Sequence, residues 1–231
     1  MRQIILDTET TGLETQQDHR IIEIGCVEMV DRRLTGNNFH QYLQPDRQID
    51  AGAISVHGIT NEFLEDKPRF ADIVEDLISY LSGAELVIHN APFDVGFLNH
   101  ELKRLQQKPH IEEISSVVDT LVMARKKHPG KRNSLDALCD RYAIDNSRRD
   151  KHGALLDAEI LSEVYLAMTG GQEDLLLEGE DSDGADHNHR RRVNLEGELM
   201  LMQVDEDDLQ AHEEYLNRLQ QQTDGHCMWL K

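Results

Sequence analysis

Cysteine, proline and aromatic residues are all scarce here: three Cys, five Pro and a single Trp stand among 231 residues. The cysteines (Cys26, Cys139, Cys227) are odd in number and show no C-x-x-C spacing. That excludes a disulfide framework and a cysteine-based zinc site, and it fits a reducing compartment. Long apolar runs are missing too, and nothing approaches the roughly 20 residues that a membrane-spanning helix needs. The opening Met-Arg-Gln-Ile-Ile-Leu has no secretory core, because Asp7 and Glu9 interrupt it. The expectation is a cytoplasmic chain. Basic residues are also in short supply, 24 against 44 acidic ones, for a net charge of −20. The deficit is uneven: residues 1–170 carry a net −9, and residues 171–231 carry −11 on little more than a quarter of the length. A protein of this balance cannot hold a polyanion by charge alone, since it has few cations with which to release counterions.

What is present reads as alternating strands and helices. Arg2–Leu6 has the composition of a buried strand ending at Asp7, and Arg20–Val30 and Leu34–Leu43 read as an antiparallel pair joined by a turn at Arg32-Arg33. Apolar residues at Phe70, Ile73, Val74, Leu77, Ile78 and Leu81 predict a helix over 70–81, stopped at Ser82-Gly83. Ala84–His89 is the next strand, and Pro92 opens a helix with Asp94 in its first turn. A short strand over Ser116–Asp119 is followed by helices near Thr120–Lys127, Ser134–Tyr142 and Gly153–Met168. This order gives an α/β domain with a mixed central sheet flanked by helices. Gly170-Gly171 ends the domain, so residues 1–171 form one unit. Residues 172–192 are Gly, Asp, Glu, Ser and His with little to bury, the composition of a flexible acidic linker. Residues 193–231 recover some apolar content and hold a helical stretch over Asp205–Gln221.

Acids placed beside apolar runs carry the chemistry. They are Asp7 and Glu9 in Leu-Asp-Thr-Glu-Thr-Thr-Gly, Asp94 in His-Asn-Ala-Pro-Phe-Asp, and Asp157 in His-Gly-Ala-Leu-Leu-Asp, which also contains His152. Converging carboxylates repel one another unless cations hold them, and oxygen-only ligands suit Mg²⁺ or Mn²⁺. Two such ions about 3.5–4 Å apart can supply both an attacking water and a stabilised leaving oxygen in phosphodiester hydrolysis. Asp7 and Glu9 lie two apart and share one side of an extended strand. His152 precedes Asp157 by five residues and fits a loop before the helix, from which it could accept the proton of the attacking water.

The set Asp7-x-Glu9, Asp94 and His152-x4-Asp157 resembles the three motifs of the DEDDh branch of 3′–5′ exonucleases, which share a ribonuclease-H-like fold. Further blocks at 21–25, 34–40, 56–59 and 130–139 resemble the proofreading epsilon subunits of bacterial DNA polymerase III, across roughly residues 1–171. The resemblance implies that Asp7, Glu9, Asp94 and Asp157 ligate two Mg²⁺ or Mn²⁺ ions and that His152 is the general base. It implies that Thr10, His57, His89, Asn90 and Phe93 lie near the terminal nucleotide of a DNA 3′ end. It implies a tail that docks on the polymerase (alpha) subunit, and it raises a small theta-like subunit as a further partner. Gln172, Leu175 and Leu177 resemble a weak sliding-clamp-binding peptide. The sister branch, with Tyr-x3-Asp in its third motif, is excluded because position 153 is glycine. One departure concerns the loop at 50–53, where relatives often carry a glutamate and this chain reads Asp-Ala-Gly-Ala.

Other readings stay open at this point. A free-standing ribonuclease of the same superfamily would use the same five residues, and a polymerase–clamp tether would use only the tail. His57 and His89 could be hydrogen-bonded structural histidines, and Phe93 could be plain core. Arg125-Lys126-Lys127 with Lys131-Arg132 could be a solvated helix end complementing its dipole rather than a DNA contact.

Overall fold

The structure, a computed structural model, describes residues 1–106, 110–147, 149, 151–170 and 206–222. Its organising unit is a long antiparallel pair. β1 (Arg2–Thr10) runs beside β2 (Ile21–Val30) from Arg2 opposite Val30 to Thr10 opposite Ile21, with an irregularity after Glu9. β1 is longer than the sequence suggests. Asp7 and Glu9 break the apolar pattern, but their backbone groups pair with Gly25 and Glu23, so both acids sit inside the strand rather than after it.

The outer edge of β2 is covered by two short strands, β3 (Arg33–Leu34) and β4 (Phe39–Tyr42). The single strand expected over 34–43 is therefore split. Gly36 takes φ +80° in the break, and Glu28 gathers Thr35 and Asn37 there. The turn before it falls at Asp31 and Arg32, both at positive φ. Two helices follow that the sequence reading did not foresee, α1 (Ala51–His57) and α2 (Asn61–Leu64). The 50–53 segment is thus the first turn of a helix, not a loop.

α3 (Phe70–Leu81) matches its expected bounds and buries Phe70, Ile73, Val74, Leu77 and Leu81. β5 (Glu85–Ile88) then pairs parallel to β1, and α4 (Ala91–Arg104) begins at Asn90. α5 (Ile111–Ile114) leads into β6 (Ser116–Asp119), parallel to β5. α6 (Thr120–Lys127), α7 (Leu135–Tyr142) and α8 (Ala154–Thr169) close the domain, with Ser134 accepting from Ala137 N–H at the start of α7. The six-stranded mixed sheet has the order β3-β2-β1-β5-β6, with β4 beside β2.

Alternation along β1 divides the core into two layers. Ile4 and Leu6 pack with Phe70, Val74 and Leu77 of α3 and with Phe97 and Leu98 of α4. Ile5 faces the other way, onto Ala158, Leu161 and Tyr165 of α8. By that period of two, Asp7 and Glu9 belong to the α8 side and Thr8 to the α4 side. α4 is further anchored by a buried fork: Glu101 receives Arg20 Nε and Nη2, both at 2.7 Å.

α9 (Glu206–Gln222) agrees with the helix expected from the tail sequence. Leu209 and Tyr215 are exposed on it. The rest of the expected linker and tail lies outside the described residues. No helix among the described residues is long and apolar enough to cross a membrane.

Candidate active site

One glycine sets the approach of α8 to the strands. Gly25 lies opposite Asp7, and a Cβ there would come 2.1 Å from the backbone nitrogen of Leu155 and 2.2 Å from the carbonyl carbon of Ala154. Only a bare backbone lets the first turn of α8 lie against β2 at this register. That contact brings Asp157, 3% exposed, down beside Glu9. A carboxylate oxygen of Glu9, one of Asp157 and a ring nitrogen of His152 all lie within 4.8 Å of one another. Asp94 joins from the opposite layer. Asn90, at φ +68°, turns the chain into α4, and Asp94 Oδ1 accepts the Thr8 hydroxyl at 2.7 Å. Alternation along β1 thus puts Thr8 on one acid while its two neighbours face the others.

The electrostatics record how closely the acids gather. Burial, then the charges of Asp94, Asp157 and Glu9, hold the Asp7 carboxyl well above the usual range. Glu9 is pushed up to about 8 by burial and then by Asp157, Glu23 and Asp94. Burial raises Asp94 to about 7 against the opposing pull of the Thr8 hydroxyl and nearby backbone N–H groups. Asp157 differs. Burial acts upward on it too, but hydrogen bonds from Arg149 and His152 outweigh this and leave it low. Carboxylates that resist ionising together form a site built for added positive charge.

Comparison with known proteins shows the family. The exonuclease family model (RNase_T) matches residues 4–165. The DNA polymerase III subunit epsilon of Pasteurella multocida is 53% identical over 237 residues, covering 100% of this chain and 94% of that one. Its counterpart in Escherichia coli K12 is 52% identical over 236 residues, covering 99% and 97%. The chain belongs to the exonuclease family, among the DNA polymerase III epsilon subunits. It is a 3′–5′ exonuclease of the proofreading kind. Among solved structures, Exonuclease X in complex with 5′ overhanging duplex DNA is 28% identical, with a TM-score of 0.56 over 73% of this chain and 91% of that one. The nuclease domain of 3′hExo, a DEDDh family member bound to rAMP, superposes with a TM-score of 0.63 at 21% identity and shares the ribonuclease-H-like fold. It covers 72% of this chain and 90% of that one.

Exonucleases of this kind use divalent metal ions. The donor set here fits such ions: four carboxylates, three of them buried, with no thiolate and one imidazole at the margin. A second sign is the cation already present. The Arg149 guanidinium, with a side chain 7% exposed, lies against Asp157 through both Nε and Nη2.

Beside the acids opens a cavity of about 540 Å³ between the end of β1 and α1. Thr10, His57 and Phe93 line it, as do Glu9, Val56 and Gly52. Val56 is half exposed, which gives the rim an apolar patch. A Cβ at Gly52 would meet nothing within 4 Å, so the departure at 50–53 leaves open space on the cavity wall. His57 Nδ1 accepts the Ile59 N–H at 3.0 Å, which puts its proton on Nε2, and burial holds its pKa down. His89 and Asn90 are not part of this lining. His89 Nδ1 lies 3.0 Å from the Thr120 hydroxyl, and the Asn90 N–H donates to Asp119. Gln172, Leu175 and Leu177 lie outside the described residues.

His152 sits on the segment before α8. Its N–H donates to the Val56 carbonyl at 3.3 Å, and Lys151 packs over Gly58, where a Cβ would come 2.5 Å from the lysine chain. The segment that carries His152 is therefore joined to α1. Three participants escaped the sequence reading. Thr8 hides between two acids as an unremarkable threonine. Glu23, 2% exposed, acts on Glu9 through space and is recognisable only once β1 and β2 are paired. Arg149 had one signal, a pair of arginines at 148–149 directly before the His152 motif.

Proposed function

We propose that the chain proofreads a DNA 3′ end, removing mispaired terminal nucleotides as 5′-monophosphates, with Asp7, Glu9, Asp94 and Asp157 holding two Mg²⁺ or Mn²⁺ ions. The observation that carries this is the meeting of Glu9, Asp157 and His152 within 4.8 Å of one another, with Glu9 also lining the cavity. When bound, the ions supply a water acidic enough to attack near neutral pH and a stabilised leaving oxygen. Asp7 and Glu9 present oxygens from one side of β1, and Asp94 and Asp157 from the ends of two helices. The Thr8 hydroxyl orients Asp94 through its hydrogen bond. His152, exposed at the margin, takes the proton of the attacking water. The terminal base and sugar fit the cavity between Thr10, Phe93 and α1, whose last residue, His57, forms part of the wall. His89 and Asn90, outside the cavity lining, are read as contacts to the nucleotide on the resemblance alone. Mispaired ends reach the cavity more readily because they cost less to unstack.

The tail is read as the tie to the polymerase alpha subunit, with α9 within it and Gln172, Leu175 and Leu177 as a contact to the sliding clamp. A small theta-like subunit completes the partners, in a cytoplasmic replisome. The support is the identity to epsilon subunits across the whole chain, tail included. The test is nuclease assay on single-stranded DNA with Asp7→Ala and His152→Ala. Both variants should fold and bind polymerase yet lose metal-dependent degradation by roughly a hundredfold or more. Unchanged rates in both would overturn the reading. Turnover on matched RNA oligonucleotides should be far lower.

A further inference from the structure

The Arg149 guanidinium is fully engaged. Nε and Nη2 fork onto the two oxygens of Asp157, with the Nη2–Oδ2 distance at 2.7 Å. Nη2 also donates to His152 Nδ1 at 2.9 Å, and Nη1 donates to Asp136 Oδ1 at 2.6 Å. One cation thus touches a carboxylate assigned above to metal binding, the imidazole assigned as base, and an outlying acid, Asp136, whose side chain is 58% exposed. The Asp157 side chain is only 4% exposed, so the pair is nearly dry.

We propose that Arg149 is the resident counter-ion of the metal site: it occupies Asp157 and the Nδ1 lone pair of His152 until a divalent cation displaces it onto Asp136. The physical reason is exclusion. Planar bidentate donors consume the outward-facing lone pairs of Asp157 that a metal would use, and a guanidinium and a divalent cation repel strongly at adjacent positions in a buried site. Asp136 supplies the retained partner, since it already holds Nη1 and can keep the charge paired after Asp157 is given up. Because the same Nη2 engages His152, departure of the guanidinium frees the imidazole in the same movement. Loading the ions and releasing the base become one event, and the metal-free site is kept from flying apart by an internal cation. Arg149 is in this sense a positioning residue.

The inference rests on the metal-ligand reading of Asp157, and the test separates the two. Mn²⁺ binding is measured by titration calorimetry on the full chain, for the native protein, Arg149→Gln, Arg149→Lys and Asp136→Asn, with thermal melting in a chelator alongside. Arg149→Gln should bind Mn²⁺ about tenfold more tightly, about 1.4 kcal/mol, while melting at a lower temperature without metal. Arg149→Lys should restore affinity toward the native value. Asp136→Asn, at an exposed position, should weaken Mn²⁺ binding, and should have no such effect when combined with Arg149→Gln. If Arg149→Gln binds no more tightly, or if affinity and metal-free stability fall together as for a purely structural arginine, the proposal is overturned. Should Arg149→Gln fail to fold, an unchanged affinity in Asp136→Asn overturns it as well. Absence of Mn²⁺ binding by the native chain would instead strike the reading of the metal ligands.

Discussion

Gly25 and Leu155 touch backbone to backbone, with only 2.1 Å between the Leu155 nitrogen and the place a Cβ on Gly25 would occupy. The contact lies at the register of Asp7 and two residues before Asp157, so it governs how closely two of the acids can approach. Gly25→Ala should push α8 outward. The expected cost is about 1–3 kcal/mol, as for other overpacked cores, with a larger proportional loss of nuclease rate. Melting temperature and single-stranded DNA hydrolysis measured on the same preparation check both.

Crowded acids should make the metal-free protein sensitive to alkali. Glu9 rises from 4.5 to about 8 and Asp94 from 3.8 to about 7 on folding. Groups held above their unfolded values bind more protons in the folded state. Their favourable contribution is complete below about 4 and is lost as pH climbs through about 7 and 8. Asp157 shifts the other way, and its contribution disappears only at acid pH, outside that window. Melting in a chelator should therefore fall between about pH 5 and pH 8.5. Added Mn²⁺ should reverse the fall, with protons released on binding. A flat profile would contradict the gathering of these acids.

Relieving the repulsion should stabilise the fold while ending its chemistry. Burial first, and then three neighbouring carboxylates, raise Asp7, and Arg149 is the opposing influence. Asp7→Asn keeps the shape and removes the charge. In the absence of metal it should melt a few degrees higher, at roughly 2–4 °C per kcal/mol for a domain of this size, and it should show no metal-dependent hydrolysis. A lower melting temperature than the native protein would argue that Asp7 serves the fold instead.

The Arg20–Glu101 fork should matter to stability alone. Glu101 is 1% exposed and accepts two guanidinium bonds together with the Ile21 N–H. Glu101→Ala strands a buried cation and should cost about 3–5 kcal/mol. Denaturant unfolding gives the number. The rate constant per folded molecule should change far less than in Gly25→Ala, since α4 enters the site at its other end.

Sequence periodicity made α3 legible to the residue, because its six apolar positions repeat at helical spacing with nothing to contradict them. The five residues proposed for the site stood out instead through their motifs beside apolar runs and the resemblance to the DEDDh exonucleases. Periodicity failed where pairing or close approach overrides local pattern. β1 continues through Asp7 and Glu9 because β2 supplies hydrogen bonds that no local feature announces. α1 was missed because Ala-Gly-Ala-Ile-Ser-Val-His has weak helical preference and only a short apolar stripe. Gly36, Asn37 and Asn38 broke a strand whose flanking residues all favour extension. Arg149 looked like one more surface arginine, since its carboxylate partners lie 8 and 13 positions away in the chain and meet only after α7 and α8 are side by side.

The bond from His152 N–H to the Val56 carbonyl fastens that histidine to a residue of the cavity wall. A bulky or skewed occupant that levers α1 aside must drag the imidazole off its mark. Under the proposed function, fit within the cavity would thereby be felt directly at the imidazole.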